Sequence, residues 1–430
     1  TIANAAAIVQ NGDVRGIYHK SFLPNYSVFD EARYFSKGTE PNTLFWYDDI
    51  AIGINICEDI WIEDGPAEEQ VKQGASLIIN INASPYDIHK SETRKEIVMK
   101  KALKLNVPII YLNMVGGQDE LVFDGGSFVV NDLGEIIYQA SSFKEEVFHL
   151  DIDLKTNKQN DKSPLIIRPK TIELKDVESK ASLSKNESIY SALKLGLKDY
   201  VRKNKFTKVL IGISGGIDSA LTAAICVDAL GAENVIGVAM PSKYNSKDSL
   251  DDAIKLSDNL GITLKTIEIE KIVDDFRETL TNSLNEDLGQ ITDENIQSRV
   301  RGNILMGLSN QTGAMVVSTG NKSEMAVGYS TLYGDLAGGF ALIKDLYKTE
   351  VYELSNYINS ISDAIPKNII TKEPSAELRP NQFDSDSLPD YEVLDKILNL
   401  YIEEDSSSEK IIASGVNPDL VFDVLEKVDR

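Results

Sequence analysis

The sequence predicts an α/β protein in two parts, the second built on a doubly wound parallel sheet. Three observations predict it. From residue 188 onward, apolar runs of strand length alternate with segments of helical spacing, the pattern of a parallel sheet covered on both faces. Before residue 153 the chain instead shows short strands separated by turns, with one long helical segment. Finally, a glycine-rich turn, Ser214-Gly215-Gly216-Ile217-Asp218-Ser219, joins a strand to a helix.

Taken in order, residues 50–56 and 76–81 are apolar runs of strand length. Residues 91–105 carry helical spacing, and 107–115 return to a strand. Residues 123–130, 136–138 and 148–152 read as strands of a hairpin-rich sheet. A polar stretch with two prolines, 154–187, has little periodicity and reads as a surface linker. The helices of the second part are expected at 188–203, 220–230, 249–260 and 294–309. Its strands are expected at 208–213, 234–240, 264–269 and 314–318. Gly231 and Gly261 close two of the helices.

The 430 residues suffice for two or three domains. A net charge of −23 argues against broad nucleic-acid binding. A small anionic substrate remains compatible, because a site needs only a few local donors. The apolar runs are too short to span a bilayer, so no membrane association is expected. No secretory signal is visible. Cys57 and Cys226 are the only cysteines, which fits a reducing, cytoplasmic setting. With three histidines, His19, His89 and His149, acid–base work falls mostly on Lys, Glu or Asp. The chain opens at Thr1 inside an apolar segment, 1–10, and reads as a fragment whose beginning is missing.

The turn at Ile213–Ser219 carries the sharpest chemistry. Two glycines let backbone N–H groups close on phosphate oxygens. The helix that follows adds its positive end. Ser214 and Ser219 supply hydroxyls. Asp218 would repel phosphate unless Mg²⁺ stood between them. The spacing fits neither a Walker loop nor a dinucleotide fingerprint. An ordinary glycine-rich turn is the bland alternative.

SGGxDS resembles the pyrophosphate loop of ATP pyrophosphatases, which split ATP into AMP and pyrophosphate. Further segments narrow the resemblance: Glu294-Asn295-Ile296-Gln297-Ser298-Arg299-Val300-Arg301, Ser318-Thr319-Gly320-Asn321-Lys322-Ser323-Glu324, Tyr333-Gly334-Asp335, Lys344-Asp345-Leu346-Tyr347-Lys348-Thr349 and Glu373-Pro374-Ser375-Ala376-Glu377-Leu378. Together, over about 188–430, they resemble the NAD synthetases. The resemblance implies an adenine-nucleotide α-hydrolase-like domain. It implies ATP contacts from Gly212, Ile213, Ser214, Gly215, Gly216, Ile217, Asp218, Ser219, Thr319, Lys348 and Ser375. Lys348 would neutralise phosphate charge in the transition state. Asn295, Arg299 and Glu324 would bind deamido-NAD, and Asp218 and Glu324 would hold Mg²⁺. The carboxylate of deamido-NAD would attack the α-phosphate, and ammonia would then displace AMP. Standing alone, Arg299 and Arg301 could be a solvated helix face and Glu324 a cap. Leu332 stands where ammonia-dependent members often carry lysine, and the basic C-terminal tail of the family is not seen.

The front part resembles the nitrilase-superfamily amidases over about 1–153. The carriers are Gly53-Ile54-Asn55-Ile56-Cys57-Glu58-Asp59-Ile60-Trp61, His19-Lys20-Ser21-Phe22, and the phrases LPNYSVFDEARYF and GGQDELVFDGGSF. The resemblance implies an αββα sandwich, here incomplete, and a Glu–Lys–Cys triad. Cys57 would attack the glutamine amide and Lys20 would lower the thiol pKa. Tyr26, Glu58, Ser84 and Arg94 would bind glutamine, Arg94 through its carboxylate. The triad's glutamate is expected before Thr1. Glu58 is a poor substitute, since adjacent strand residues face opposite ways. On residue type alone, Cys57 and Cys226 read as small buried hydrophobes and Lys20 as solvated.

The expected organisation is therefore an amidohydrolase domain at 1–153, a linker at 154–187 and a synthetase domain at 188–430, assembled as a homodimer or larger homo-oligomer. Rival readings are an amide-forming ATP pyrophosphatase with another acceptor or a strictly ammonia-dependent enzyme, a tRNA modifier, which the negative charge opposes, and a nucleotide-binding regulator without turnover.

Overall fold

The computed structural model describes residues 2–41, 43–47, 49–155 and 179–430. Most of the expected linker, 156–178, lies outside the described residues. The chain divides into two compact units, Thr1–Ser188 and Ile189–Arg430.

The first unit runs β1 (Ala5–Gln10), β2 (Asp13–His19), α1 (Glu31–Tyr34), β3 (Leu44–Tyr47), β4 (Ile50–Ile56), α2 (Pro66–Lys72), β5 (Leu77–Asn82), α3 (Lys90–Leu105), β6 (Ile109–Asn113), β7 (Val115–Gln118), β8 (Leu121–Asp124), β9 (Phe128–Val130) and β10 (Ile136–Gln139). Six strands form one sheet in the order β10-β9-β6-β5-β4-β3. Its centre is parallel, with Asn55 opposite Asn80 and Asn80 opposite Tyr111. Helices α2 and α3 cover one face, packing Ala67, Val98 and Ala102 with Ile78, Ile109 and Val130. The β1–β2 hairpin covers the other face near β4, where Tyr18, Ala6 and Ile8 meet Ile54 and Ile56. The sheet therefore delivers Cys57 at the carboxyl end of β4, which runs parallel to β5 and antiparallel to the edge strand β3, and carboxyl ends of parallel strands are where open α/β sheets bind ligands.

Two strand expectations need correction here. The run 123–130 is not one strand. Gly125 and Gly126 take φ of 62° and 61° and separate β8 from β9. Residues 148–152 join no ladder. Their alternation serves packing instead: Phe148, Leu150 and Ile152 lie against Val129, Tyr138 and Ala140.

The second unit follows with α4 (Lys185–Lys203), β11 (Val209–Gly212), α5 (Ile217–Leu230), β12 (Val235–Ala239), α6 (Lys247–Leu260), β13 (Thr263–Thr266), α7 (Glu270–Leu284), α8 (Gln290–Thr312), β14 (Met315–Ser318), α9 (Lys322–Ala326), β15 (Phe340–Ala341), α10 (Lys348–Ser362), α11 (Lys367–Thr371), α12 (Tyr391–Leu398), α13 (Ser408–Ala413) and α14 (Pro418–Val428). Its five-stranded sheet is parallel throughout, in the order β13-β12-β11-β14-β15. The order reverses at β11, and the carboxyl ends of β11 and β14 frame a crevice. Helices α12 to α14 close over a separate core of Leu394, Ile397, Leu398, Ile411, Val421 and Val424. No helix among the described residues is long and apolar enough to cross a membrane.

Candidate active sites

In the first unit the chain leaves β4 into a 3₁₀ turn, Cys57–Ile60. Cys57 takes φ 46°, a left-handed conformation that costs energy for a non-glycine residue and presents the side chain sharply. Cys57 and Glu58 thus share a turn rather than a strand, so opposite-face alternation does not separate them. Asp59, fully buried, ties the turn down. Its oxygens accept from Ile56 N (3.0 Å), Tyr18 Oη (2.8 Å), Ser21 N (3.1 Å) and Phe22 N (2.9 Å). The last two amides belong to the loop that carries Lys20, so one carboxylate sets the lysine loop against the nucleophile's turn.

Lys20 is buried, and its Nζ donates to Glu31 Oε1 at 2.6 Å. Sequence reading missed Glu31 because eleven residues separate it from Lys20 with no periodic link. Burial pushes the Cys57 thiol pKa up. Lys20 opposes this, Glu58 and Glu31 add to it, and Arg94 opposes it. The expected lowering by Lys20 is present, but desolvation outweighs it.

The four expected glutamine contacts fall into two pairs. Tyr26 Oη donates to Glu58 Oε2 at 2.9 Å, and burial together with Glu58 pushes the phenol up to about 12. Arg94 is buried and saturated: Nε donates to Ser84 Oγ, Nη1 to both oxygens of Asp124 at 2.7 and 2.8 Å, and Nη2 to the carbonyls of Ser84 and Pro85. In this structure Asp124 holds the guanidinium fork, and Arg94 fixes the 84–85 backbone. Cys226 is buried in α5 with its thiol pushed up by burial, as a small core hydrophobe.

The second unit holds a cavity of about 440 Å³ at the carboxyl ends of β11, β12 and β14. Every expected ATP contact, from Gly212 to Ser219 with Thr319, Lys348 and Ser375, lines it. Gly215 is required where it stands: its φ is +82°, and a Cβ there would lie 2.2 Å from Ser249 O. The hydroxyls of the loop are partly spent on shaping it. Ser214 Oγ accepts from Gly216 N at 3.1 Å, and Ser219 Oγ donates to Gly216 O at 3.0 Å. The N–H groups of Ser214 and Gly216 are spent on the same hydroxyls, so a phosphate seated here would draw chiefly on the N–H groups at the start of α5.

Lys348, buried, reaches Asp218 Oδ2 (2.6 Å) and Glu324 Oε1 (3.0 Å), while Asn321 Nδ2 holds Asp218 Oδ1 (2.8 Å). Burial, with Asp218 and Asp384 nearby, pushes Glu324 up to about 7 against the pull of Lys348. Asp384, which sequence reading missed, accepts from Tyr329 (3.2 Å) and Tyr391 (2.8 Å), and burial raises it. Across the cavity Glu377 accepts from Ser249 (2.7 Å), Ser246 (3.0 Å), Asn245 (2.8 Å) and Lys372 (3.3 Å). Among the described residues, seven carboxylates and three basic side chains line the space.

Of the expected deamido-NAD contacts, Asn295 and Glu324 line the cavity and Arg299 does not. Arg299 Nε donates to Leu332 O at 3.2 Å on the rim. Arg301, given no role of its own in the sequence and read with Arg299 as a solvated helix face when standing alone, does line the cavity.

Residues 189–430 match the family model described as NAD synthase, and residues 2–160 match the one described as carbon-nitrogen hydrolase. The glutamine-dependent NAD(+) synthetase of Aquifex aeolicus is 47% identical over 443 residues, covering 99% of this chain and 78% of that protein. The chain belongs to the glutamine-dependent NAD(+) synthetase family. The family member from Thermotoga maritima is also 47% identical, with 99% and 77% covered. The solved structure of the Acinetobacter baumannii member, in complex with ADP, superposes with a TM-score of 0.78 at 43% identity, covering 100% of this chain and 76% of that one. Set within this family, the Cys57 cluster falls in the carbon-nitrogen hydrolase match and the phosphate-loop cavity in the NAD synthase match.

Proposed function

We propose that this chain converts deamido-NAD, ATP and glutamine to NAD, AMP, pyrophosphate and glutamate. One observation carries the reading: the glycine loop, the start of α5 and Lys348 converge on a single cavity in a family of glutamine-dependent NAD(+) synthetases. The N–H groups of the loop hold the phosphates of ATP. A carboxylate oxygen of deamido-NAD attacks the α-phosphorus, and the bond to pyrophosphate breaks. Lys348 offsets the charge that grows on the leaving group. Ammonia then adds to the adenylated carbonyl carbon, AMP leaves with the carboxyl oxygen, and a proton is lost to give the amide.

Asp218 and Glu324 suit Mg²⁺. Among the described residues no three ligands form a cage, and Mg²⁺ characteristically uses one or two carboxylates with substrate phosphates and water. The excess of carboxylates around the cavity also calls for added positive charge. Bound there, the ion would draw charge from the phosphate oxygens.

In the first unit the sulfur of Cys57 adds to the glutamine side-chain carbonyl carbon, ammonia departs, and water releases glutamate from the thioester. Glu31 is a positioning residue that fixes Lys20 beside the thiol. By resemblance the enzyme is a cytoplasmic homo-oligomer, which light scattering on the purified chain tests.

The defining experiment supplies deamido-NAD, ATP, Mg²⁺ and ammonium. Equal yields of NAD, AMP and pyrophosphate are expected. ADP and phosphate as products, or ATP splitting without deamido-NAD, would overturn the reading.

A further inference from the structure

Among the described residues, three basic side chains line the cavity of the second unit: Lys348, Lys372 and Arg301. Lys348 is matched by Asp218 and Glu324, and Lys372 by Glu377. Arg301 has no ion pair among the described residues. Its contacts are uncharged oxygens: Nε donates to Met240 O at 3.1 Å and Nη2 to Asn245 Oδ1 at 3.2 Å. A guanidinium carries five N–H groups. Three, both of Nη1 among them, find no acceptor among the described residues. Glu377 is the carboxylate that acts on Arg301 from a distance, and it is already committed to Ser246, Ser249, Asn245 and Lys372.

The position is as informative as the charge. Helix α8 leads into β14, parallel to β11, so the N-terminal part of α8 lies over the carboxyl edge of the sheet. Leu305 on α8 stands 3.5 Å from where a Cβ on Gly212 would be. Arg301 is one turn nearer the N-terminus of α8 and reaches Met240, just past the end of β12. It therefore stands over the crevice where the phosphate loop leaves β11. Burial pushes its pKa down to about 10, so it stays charged at neutral pH in surroundings that disfavour the charge. A cation held so, without a counter-charge, gains most when an anion arrives.

We infer that Arg301 is a substrate-binding residue whose unspent N–H groups take a phosphate or carboxylate oxygen of a nucleotide seated in the cavity. The inference rests on the synthetase reading above. ATP and deamido-NAD both bring such oxygens, and the test separates them.

Calorimetric titrations of the full chain measure Mg·ATP and deamido-NAD binding separately, for wild type, Arg301→Lys and Arg301→Gln. Ammonium-driven kinetics give KM and kcat for each substrate. The expected result is a loss of tenfold or more in affinity for one substrate in Arg301→Gln, with the other held within twofold. Arg301→Lys should recover little of it, because an ammonium lacks the fork. The substrate that weakens names the source of the oxygen. Wild-type affinity for both substrates in folded variants would overturn the inference and leave Arg301 as a clamp on residues 240–245. Equal weakening of both with a lowered melting temperature would overturn it too, since a loosened turn does that. If Arg301→Gln fails to fold, Arg301→Lys decides by the same criteria. Wild-type protein that binds neither substrate would sink the synthetase reading itself, a distinct result.

Discussion

At the residue scale, Cys57 shows how burial and charge compete. Desolvation raises the thiol and the Lys20 ammonium works against it. Removing the ammonium can only raise the thiol further. Lys20→Met should therefore slow alkylation of Cys57 by iodoacetamide at pH 8 by about tenfold or more, since each unit of pKa removes about nine-tenths of the remaining thiolate. The same variant should lose glutamine-driven NAD synthesis while keeping the ammonium-driven rate. Glu31→Gln should move both readings in the same direction and less far, because it loosens Lys20 without removing it. Gly215→Ala places a methyl 2.2 Å from Ser249 O at φ +82°, a backbone strain worth about 1–3 kcal/mol. It should lower the melting temperature and raise KM for ATP at least tenfold. Unchanged ATP affinity would remove the loop from the phosphate site.

At the scale of elements, two carboxylates join pieces that the sequence leaves unrelated. Asp59 accepts from Ile56 N within its own turn and joins that turn to Tyr18 and to the Lys20 loop through Tyr18 Oη, Ser21 N and Phe22 N. Asp59→Ala strands buried donors and should cost about 3 kcal/mol in denaturant unfolding, the upper end for such a group. Glu377 ties the segment after α11 to the start of α6. Burial alone would raise its pKa, but Ser249, Asn245, Lys372 and Ser246 together lower it. A carboxyl with a lowered folded value stabilises most above its unfolded value of about 4.3 and loses that contribution as pH falls through the folded value. The difference in unfolding free energy between wild type and Glu377→Gln should be flat above about pH 5 and shrink below about pH 4. A difference independent of pH would show that the hydrogen bonds, not the charge, hold the segment. The parallel core elements were legible in the sequence because Leu210, Val238 and Val316 are buried in short apolar runs bounded by turns. Helix α7 was not, since only Val273 of it is buried and its remaining positions read as polar surface.

At the scale of the molecule, legibility divides by distance along the chain. The phosphate loop is local: six consecutive residues make it, and its geometry followed from their order. Cys57 and Lys20 were legible only through the phrases around them. Glu31, Asp124 and Asp384 were not legible, because each earns its place through a partner 11, 30 or 55 residues away that no periodicity predicts. The partner of Arg94 was not legible for the same reason: its type suits a substrate carboxylate, and folding also brings Asp124 to it. As a whole, one chain cuts ammonia from glutamine and fixes it in NAD. The most direct test supplies deamido-NAD, ATP, Mg²⁺ and glutamine labelled with ¹⁵N in its side-chain amide, and reads the label in the amide of NAD by mass spectrometry. Wild type should carry the label, and Cys57→Ala should make labelled NAD only from ¹⁵N-ammonium. Labelled NAD from glutamine in Cys57→Ala would remove Cys57 as the nucleophile, and none in wild type while ammonium still serves would show that glutamine is not the nitrogen source.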